Sequence, residues 1–209
     1  MLTLVFALVL AACGPKTDKL LEEAKEDLTL VFKSGDSADS VTQNITLRTK
    51  GKHETTITWK SSDPDIIAND GTVTRPSWDE GDKEVTLTAT ITLKDKSVTK
   101  EFKVTVKALE KPVSVKLEEA YEELEIQFAV GDTKDAVTGN LTLPTKAGEA
   151  TVTWQSSNPE YVSDSGEVKR PFFNDEVVTL TATLTIDGQT KTKTFAVTVK
   201  GITEDETTD

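Results

Sequence analysis

The hexapeptide Val85-Thr86-Leu87-Thr88-Ala89-Thr90 alternates apolar and hydroxyl side chains without a break. This period of two predicts a β-strand, because successive side chains of a strand point to opposite faces of a sheet. The Val, Leu and Ala face suits a core, and the threonine face suits water, as in antiparallel sheets with one wet face. The same letters return as Val178-Thr179-Leu180-Thr181-Ala182-Thr183, so the chain builds this strand twice.

The duplication extends outward from this strand over most of the chain. Upstream, Trp59-Lys60-Ser61-Ser62-Asp63-Pro64 corresponds to Trp154-Gln155-Ser156-Ser157-Asn158-Pro159. Downstream, Phe102-Lys103-Val104-Thr105-Val106 corresponds to Phe195-Ala196-Val197-Thr198-Val199. Trp59 and Trp154 lie 95 positions apart, so each copy of the unit is about that long. Solenoid repeats are much shorter, and we therefore expect each copy to be a domain with its own core.

Aromatic side chains on the apolar strand faces are the expected centres of the two cores. Trp59 and Phe102 in the first copy, and Trp154 and Phe195 in the second, occupy inward positions of the alternating pattern. We therefore assign these aromatic residues to the core rather than to a site.

Each copy begins with a different pattern, in which apolar residues recur every three or four positions. This spacing predicts a short amphipathic helix packed against one edge or end of the sheet. Glu22-Glu23 and Glu118-Glu119 then belong to solvated helix faces rather than to a catalytic pair of carboxylates. The apolar positions are Leu20, Leu21, Ala24 and Leu28 in the first copy and Leu117, Ala120, Tyr121 and Leu124 in the second.

The N-terminus has the features of an export signal. Residues 1–12 are almost wholly apolar and contain no charge. Such a run is too short to span a bilayer and is typical of a signal peptide. The stretch Leu10-Ala11-Ala12-Cys13 resembles the lipobox of bacterial lipoproteins, which implies cleavage before Cys13 and attachment of diacylglycerol to its thiol. The alternative is a buried N-terminal strand with an incidental cysteine.

Charge narrows the range of partners. The chain has 24 Lys and Arg against 36 Asp and Glu, which gives a net charge of −12 at pH 7. Nucleic acids and anionic membrane surfaces repel such a chain, so we expect neither as a partner. Lipid on Cys13 would instead attach the protein to the cell membrane, exposed outside the cytoplasm.

These features divide the chain into segments. A short connection that contains Pro112 joins the two copies, and the proline stiffens it. The predicted boundaries are residues 1–12 for the signal peptide, 13–17 for a lipid-anchored linker, 18–108 for the first domain, 109–200 for the second domain and 201–209 for an acidic flexible tail.

Specific motifs point to a known family. The stretches Thr58-Trp59-Lys60-Ser61-Ser62-Asp63-Pro64 and Asp70-Gly71-Thr72-Val73-Thr74-Arg75-Pro76, with their counterparts in the second copy, resemble bacterial Ig-like domains, most closely the atrophied bacterial Ig domain. The resemblance implies an all-β chain of two tandem truncated Ig-like β-sandwiches on a bacterial surface or secreted protein, with no catalytic residues. The pair of core cysteines found in antibodies is absent. Trp59 and Trp154 are therefore expected to fill their cores by packing alone.

Residue types that carry catalysis or metal binding form no repeated pattern. His53 is the only histidine, falls in a turn and has no counterpart in the second copy. Asp36 and Asp132 follow glycines at equivalent positions, where an Asx turn explains them better than calcium does. We therefore expect a protein that is not an enzyme and that uses no metal or cofactor.

A few aromatic residues fall outside the core pattern. Trp78 follows Arg75-Pro76, and Phe172-Phe173 follow Arg170-Pro171 at the matching loop. These candidate ligand-binding rings would stack on a sugar or anchor a protein partner, or else cap the open end of the sandwich. We expect the two arginines to orient a turn through an ion pair rather than to bind a ligand.

The sequence therefore supports a non-catalytic, lipid-anchored cell-surface protein whose tandem Ig-like domains serve adhesion, presentation or spacing. The second hypothesis is a carbohydrate-binding accessory module that uses the loop aromatics. Its partner would be a surface glycan, whereas an adhesin would bind a glycan or a protein. A hydrolase is the third hypothesis. Such an enzyme would need two carboxyl groups whose surroundings give them different pKa values, and no pair of acidic residues recurs within an apolar stretch of both copies.

Overall fold

Each copy of the repeat forms its own unit, and the chain divides between Glu110 and Lys111. A computed structural model describes residues 14–203. In both units an α-helix precedes an antiparallel sheet, which confirms the mostly β fold with leading helices that the sequence predicts.

The first unit carries the first copy of the alternating strand at the centre of its sheet. Its elements are α1 (Gly14–Asp27), a 3-10 helix (Lys52–Glu54), β1 (Thr56–Ser61), β2 (Lys83–Leu93) and β3 (Lys96–Val106). The strand order is β1-β2-β3, and both pairings are antiparallel. The alternating hexapeptide lies in β2, where Val85 pairs with Val104 and Leu87 pairs with Phe102.

The second unit repeats this arrangement and adds a two-residue strand. Its elements are α2 (Val113–Glu123), β4 (Lys146–Ala147), β5 (Ala150–Ser156), β6 (Glu176–Ile186) and β7 (Gln189–Val199). The order is β4-β5-β6-β7, again antiparallel throughout. Among the described residues, β7 is therefore an edge strand of this sheet.

The segments between the named strands form a second layer against each sheet. In this layer the backbone pairs through isolated β-bridges and not through continuous strands. In the first unit Val31 bridges Thr46, and Ile67 bridges Val73. Ile45 and Leu47 alternate with Thr46 in the sequence, which predicts a strand, but residues 45–47 form only the bridge between Thr46 and Val31. Side chains supply part of the missing ladder, as where the Asn44 carboxamide oxygen accepts the N–H of Val73 at 2.9 Å.

The core follows the period of two that the sequence shows. In β2 the side chains of Val85, Leu87, Ala89 and Ile91 are fully buried, while the threonines between them are only partly covered. Burying one large aliphatic side chain stabilises a fold by about 1.5 to 3 kcal/mol relative to leaving it exposed. The outward threonines contribute through the good fit of β-branched residues to a strand.

The leading helices close one part of each core and are fixed by a lysine from the last strand. Leu21 and Ala24 of α1, and Leu28 directly after the helix, pack with apolar residues of β1 and β2. The Nζ of Lys100, on β3, donates to the carbonyl oxygens of Lys25 and Leu28 at 2.8 and 2.7 Å. These carbonyls lie at the helix C-terminus, where they have no partner within the helix and where the helix dipole favours a cation.

The tryptophans of the repeat join the apolar clusters of their units. Trp59 contacts the ring of Phe102 with centroids 5.6 Å apart, and Trp154 contacts Phe195 at 5.5 Å. Each indole is only partly buried. The indole N–H of Trp59 also donates to the carbonyl oxygen of Arg48 at 2.9 Å, and Trp154 makes an equivalent bond. Packing is therefore not the only contribution of these side chains, because each partly buried indole N–H also finds a backbone acceptor.

Candidate functional site

The loop of residues 171–175 is fastened by two charged side chains to the residues that follow β7. Arg170 donates from Nε to the carbonyl oxygen of Lys200 at 2.9 Å and from a terminal nitrogen to that of Gly201 at 2.7 Å. Asp175 accepts the N–H of Gly201 at 3.0 Å and a bond from the Nζ of Lys200. The Lys200 bond and then the Gly201 bond lower the pKa of Asp175, so its carboxylate is charged at neutral pH.

The first unit repeats this fastening at the equivalent loop. Arg75 donates from Nε to the carbonyl oxygen of Lys107 at 2.9 Å and from a terminal nitrogen to that of Ala108. Asp82 accepts the Nζ of Lys107 at 2.7 Å and the N–H of Ala108 at 2.9 Å, and these bonds lower the pKa of Asp82. Arg75 thus orients its loop through hydrogen bonds to carbonyl oxygens rather than through the predicted direct ion pair, although its charge contributes to the lowered pKa of Asp82.

Two phenylalanine rings stand in solvent on the loop of the second unit. Phe172 is 69% exposed and Phe173 is 66% exposed. Their ring centroids are 6.4 Å apart, and the ring planes are tilted by 46°. Rings that cap a core would be mostly covered, so this exposure favours a contact surface over a lid.

The backbone under these rings is held in an uncommon conformation. Phe173 has a φ of +70°, a left-handed value that costs a bulky residue about 1 to 3 kcal/mol. Its N–H donates to the carbonyl oxygen of Ile202 at 3.1 Å, and the Ile202 N–H donates to that of Pro171 at 2.8 Å. A Cβ on Gly201 would lie 2.8 Å from the carbonyl carbon of Phe173, so only glycine fits there. The surrounding contacts therefore fix the position of the ring pair.

Trp78 occupies a different kind of loop, although it lies at the sequence position that corresponds to Phe173. The carboxylate of Glu80 accepts the N–H of Ser77 at 3.0 Å and its hydroxyl at 2.7 Å, which closes a turn around Trp78. Trp78 is 36% exposed, about half the value for either phenylalanine. The structure thus separates the three aromatic candidates into an exposed pair and a half-covered ring.

Sequence reasoning missed Ile202 as a support of the ring pair. It lies in the segment that the sequence assigned to the flexible tail, yet Ile202 forms a parallel bridge with Phe172 and Arg170 binds the preceding Gly201. The ordered chain therefore continues past residue 200, because side chains from the loop satisfy its backbone groups. The signal was present, since Ile202 is the only apolar residue of that segment.

The carboxylates of Asp36 and Asp132 hold their own loops closed. Asp132 accepts the N–H groups of Thr138 and Gly139, each at 2.8 Å, and the hydroxyl of Thr138 at 2.7 Å. The N–H of Gly139 and then that of Thr138 lower the pKa of Asp132. Asp36 makes the same three bonds in the first unit, to Thr42 and the residue after it. The acceptors are used within the loop, but the donors lie six and seven residues further along the chain. An Asx turn uses the N–H two residues on. The expected Asx turn is therefore wrong, and each carboxylate instead closes a longer loop.

His53 has a structural contact to the leading helix of the first unit. Its Nε2 lies 2.7 Å from a carboxylate oxygen of Glu23 on α1. His53 has a φ of 59°, so the turn that carries it is tight. Within residues 14–203, no three His, Cys, Asp or Glu side chains come together in a way that could hold a metal ion.

The proposed lipidation residue, Cys13, lies outside the described residues. Among residues 14–203, the structure contains no helix that is both long enough and apolar enough to cross a membrane.

Comparison with known proteins identifies the repeated unit. The family model of the atrophied bacterial Ig domain matches residues 21–109 and again residues 117–202, which confirms the two tandem Ig-like domains. No curated protein matches the chain. One solved structure with similarity is a SusE-like, surface-located polysaccharide-binding protein from the Bacteroides thetaiotaomicron heparin utilisation locus. It is 14% identical with a TM-score of 0.26, and the match covers 78% of this chain but 32% of that protein. This chain thus spans about a third of its length, and so distant a likeness carries no information on the ligand.

Proposed function

The chain belongs to the atrophied bacterial Ig domain family, and on that basis we propose that it is a non-catalytic, lipid-anchored surface protein whose tandem domains serve adhesion or presentation. The membrane holds the protein through acyl chains on Cys13, and the domains stand outside the cytoplasm. The acidic charge of −12 keeps such a protein soluble and away from anionic surfaces.

The exposed pair Phe172 and Phe173 carries the adhesion part of this proposal. An exposed aromatic pair on a fixed backbone binds a partner at a low cost in conformational entropy, because little remains to be ordered. The left-handed backbone at Phe173 supports the same interpretation, since such strain is concentrated at functional positions.

The carboxyl groups support a non-catalytic role. A general acid at neutral pH needs a carboxyl group whose pKa is raised. Among residues 14–203, every carboxyl group with a clear shift has a lowered pKa, mainly through hydrogen bonds that it accepts. These groups are Asp36, Asp70, Asp79, Glu80, Asp82, Asp132 and Asp175.

A second candidate is a carbohydrate-binding accessory role, and the geometry of the ring pair favours it. Two apolar rings side by side, with centroids 6.4 Å apart, offer neighbouring faces to a chain of sugar rings. Asn174 follows directly and is exposed, so its amide is available to hydroxyl groups.

Binding of the whole chain to a glycan array and to immobilised matrix proteins tests both candidates. The double variant Phe172→Ala with Phe173→Ala should lose the binding, and Trp78→Ala serves as the matched aromatic control. Binding to proteins selects adhesion, whereas binding to glycans alone agrees both with the accessory role and with a glycan-binding adhesin. Equal binding by the wild type and the double variant would reject the ring pair as the contact, and no binding at all would leave a spacer.

A further inference from the structure

Lysines gather at the start of α1 in the first unit. The described part of this helix reaches back to Gly14, the residue that follows Cys13 in the chain. Lys16 and Lys19 lie in the first two turns of the helix, and both are exposed. A helix rises about 1.5 Å per residue, so both lysines lie within about 8 Å of Gly14 along the axis. Two ammonium groups therefore stand close to the proposed point of lipid attachment.

The turn between β2 and β3 adds two lysines to the same end of the unit. Lys94 and Lys96 flank Asp95 in this turn, and Lys94 is exposed while Lys96 is half-buried. The Nζ of Lys96 donates to a carboxylate oxygen of Asp18 on α1 at 2.7 Å, which places the turn beside the start of the helix. We name these four residues the lysine cluster: Lys16, Lys19, Lys94 and Lys96.

The charge at this end stays positive when its acidic residues are counted. The acids of the helix start and of the turn are Asp18 and Asp95, so four lysines and two aspartates give a net charge of +2. The next acids of α1, Glu22 and Glu23, lie about 12 Å or more from Gly14 along the axis, beyond the screening length of about 8 Å at physiological salt. Each of them also faces a basic group, since Glu22 lies 3.8 Å from Lys25 and Glu23 lies 2.7 Å from His53. Lys19 remains 79% exposed even though its Nζ lies 4.0 Å from Glu23.

The second copy of the repeat has no lysine at the four equivalent positions. Pro112 and Val115 stand at the start of α2, and Asp187 and Gln189 stand at the turn between β6 and β7. The turn itself is retained, because Lys94 and Asp187 both have a left-handed backbone, with φ values of 57° and 48°. The fold therefore does not require these lysines, which occur only in the copy that follows Cys13.

We propose that the lysine cluster rests on the anionic headgroups of the membrane that holds the lipid anchor, and that this contact orients the first unit on the bilayer. The proposal rests on the proposed lipidation of Cys13 and adds a second contact to it. Basic side chains beside an anchored residue attract anionic lipids over about one screening length. A single acyl chain binds a bilayer only marginally, so a second contact of this kind changes the binding measurably.

The acidity of the whole chain reinforces this orientation. The chain carries a net charge of −12, and the part outside the lysine cluster and its two aspartates is more acidic still. An anionic membrane therefore attracts this one end and repels the rest of the chain. Both effects turn the lysine cluster toward the bilayer, so the repulsion expected of the chain as a whole is compatible with a local contact.

Partition into vesicles tests the contact. The protein is the chain from Cys13 onward, the form that the proposed cleavage leaves, with one myristoyl-length chain coupled to its single thiol. Vesicles that contain phosphatidylglycerol should bind it about tenfold more tightly than vesicles of phosphatidylcholine, and high salt should remove the difference. If the charge of the whole chain decided the binding, the anionic vesicles would bind it more weakly. That result, or equal binding to both kinds of vesicle, would overturn the proposal.

Two double variants with equal changes of charge connect the preference to the lysine cluster. Lys94→Asp with Lys96→Gln installs the residues of the second copy and should abolish the preference for anionic vesicles. Lys83→Asp with Lys103→Gln makes the same change near the other end of β2 and β3, more than about 20 Å away, and should keep most of the preference. Circular dichroism checks that both variants fold, and an equal loss in both would overturn the proposal.

The chemical coupling makes this experiment independent of lipidation in cells. The mass of the N-terminal peptide of the protein isolated from cells tests lipidation by itself. A missing acyl group in cells and a missing charge contact on vesicles are therefore distinguishable results.

Discussion

The indole N–H of Trp154 donates to the carbonyl oxygen of Pro144 across 2.8 Å. Pro144 precedes the short strand β4, so this bond ties the sheet to the chain that enters it. The same indole packs on Phe195 of β7. The Trp154 side chain thus connects β5 to the segment before β4 and to β7.

Replacing Trp154 separates its packing from its hydrogen bond. Trp154→Ala should lower the free energy of unfolding of the second unit by about 3 to 5 kcal/mol, the usual cost of deleting a large core aromatic. Trp154→Phe keeps most of the packing and should cost less. Chemical denaturation with and without reductant measures both, and reductant should change nothing. A solvent-like emission maximum from the folded protein would contradict the burial.

Lys100→Met should destabilise the first unit by about 1 to 3 kcal/mol, because two carbonyl oxygens at the end of α1 lose a charged donor. Lys103→Met is the matched control on the same strand, since Lys103 is exposed and its ion pair with Glu84 spans 3.6 Å. The control should stay within about 0.5 kcal/mol of the wild type in urea melts. Equal losses of unfolding free energy in the two variants would show that the bonds from Lys100 to the end of α1 do not stabilise the unit.

Stability should fall in acid partly through Asp132. Its pKa is lower in the folded chain than in the unfolded one, so it stabilises the fold above the unfolded value of about 3.9. This contribution disappears as the pH falls through the folded pKa. Asp132→Asn should therefore flatten the pH dependence of the unfolding free energy below about pH 4. An acid limb as steep as that of the wild type would contradict this role.

Cys13→Ser should move the protein from the membrane fraction to the medium or leave it unprocessed, because the thiol that accepts the lipid is gone. Phase partitioning in a detergent and the mass of the N-terminal peptide measure this outcome. Unchanged partitioning of the variant would reject the lipoprotein hypothesis.

Phe173→Gly should abolish ligand binding while keeping the second unit as stable as the wild type or more so. Glycine adopts a φ of +70° without strain, and the lost ring is mostly in solvent. Trp78→Ala should lower the stability of the first unit more, because Trp78 is the more covered ring. Thermal melts and binding assays on the same samples separate the two effects.

The sequence predicts the sheets better than it predicts the loops. The alternation of apolar and polar residues locates β2 and β6, because a strand that buries only one face needs an apolar residue at every second position. The pattern around Ile45 predicts a strand as well, but the structure has a single bridge there, since side chains such as Asn44 take over backbone partners.

The exposure of the candidate site residues depends on contacts between segments that are distant in sequence, and no single stretch of sequence shows these contacts. Trp78 and Phe173 align in the repeat, yet the first loop is longer and closes through Glu80, so their exposure differs.

The fastening of the ring-bearing loop by Arg170 has a mechanical consequence. A pull on a ligand held by Phe172 and Phe173 passes along the chain into β6, which begins at Glu176, and the bond from Arg170 to Gly201 shares part of it with β7. That strand pairs with β6 along all eleven of its residues. Tension directed along β7 is shared by all the hydrogen bonds between β6 and β7 at once. The load is therefore distributed over the longest strand pairing of the second unit.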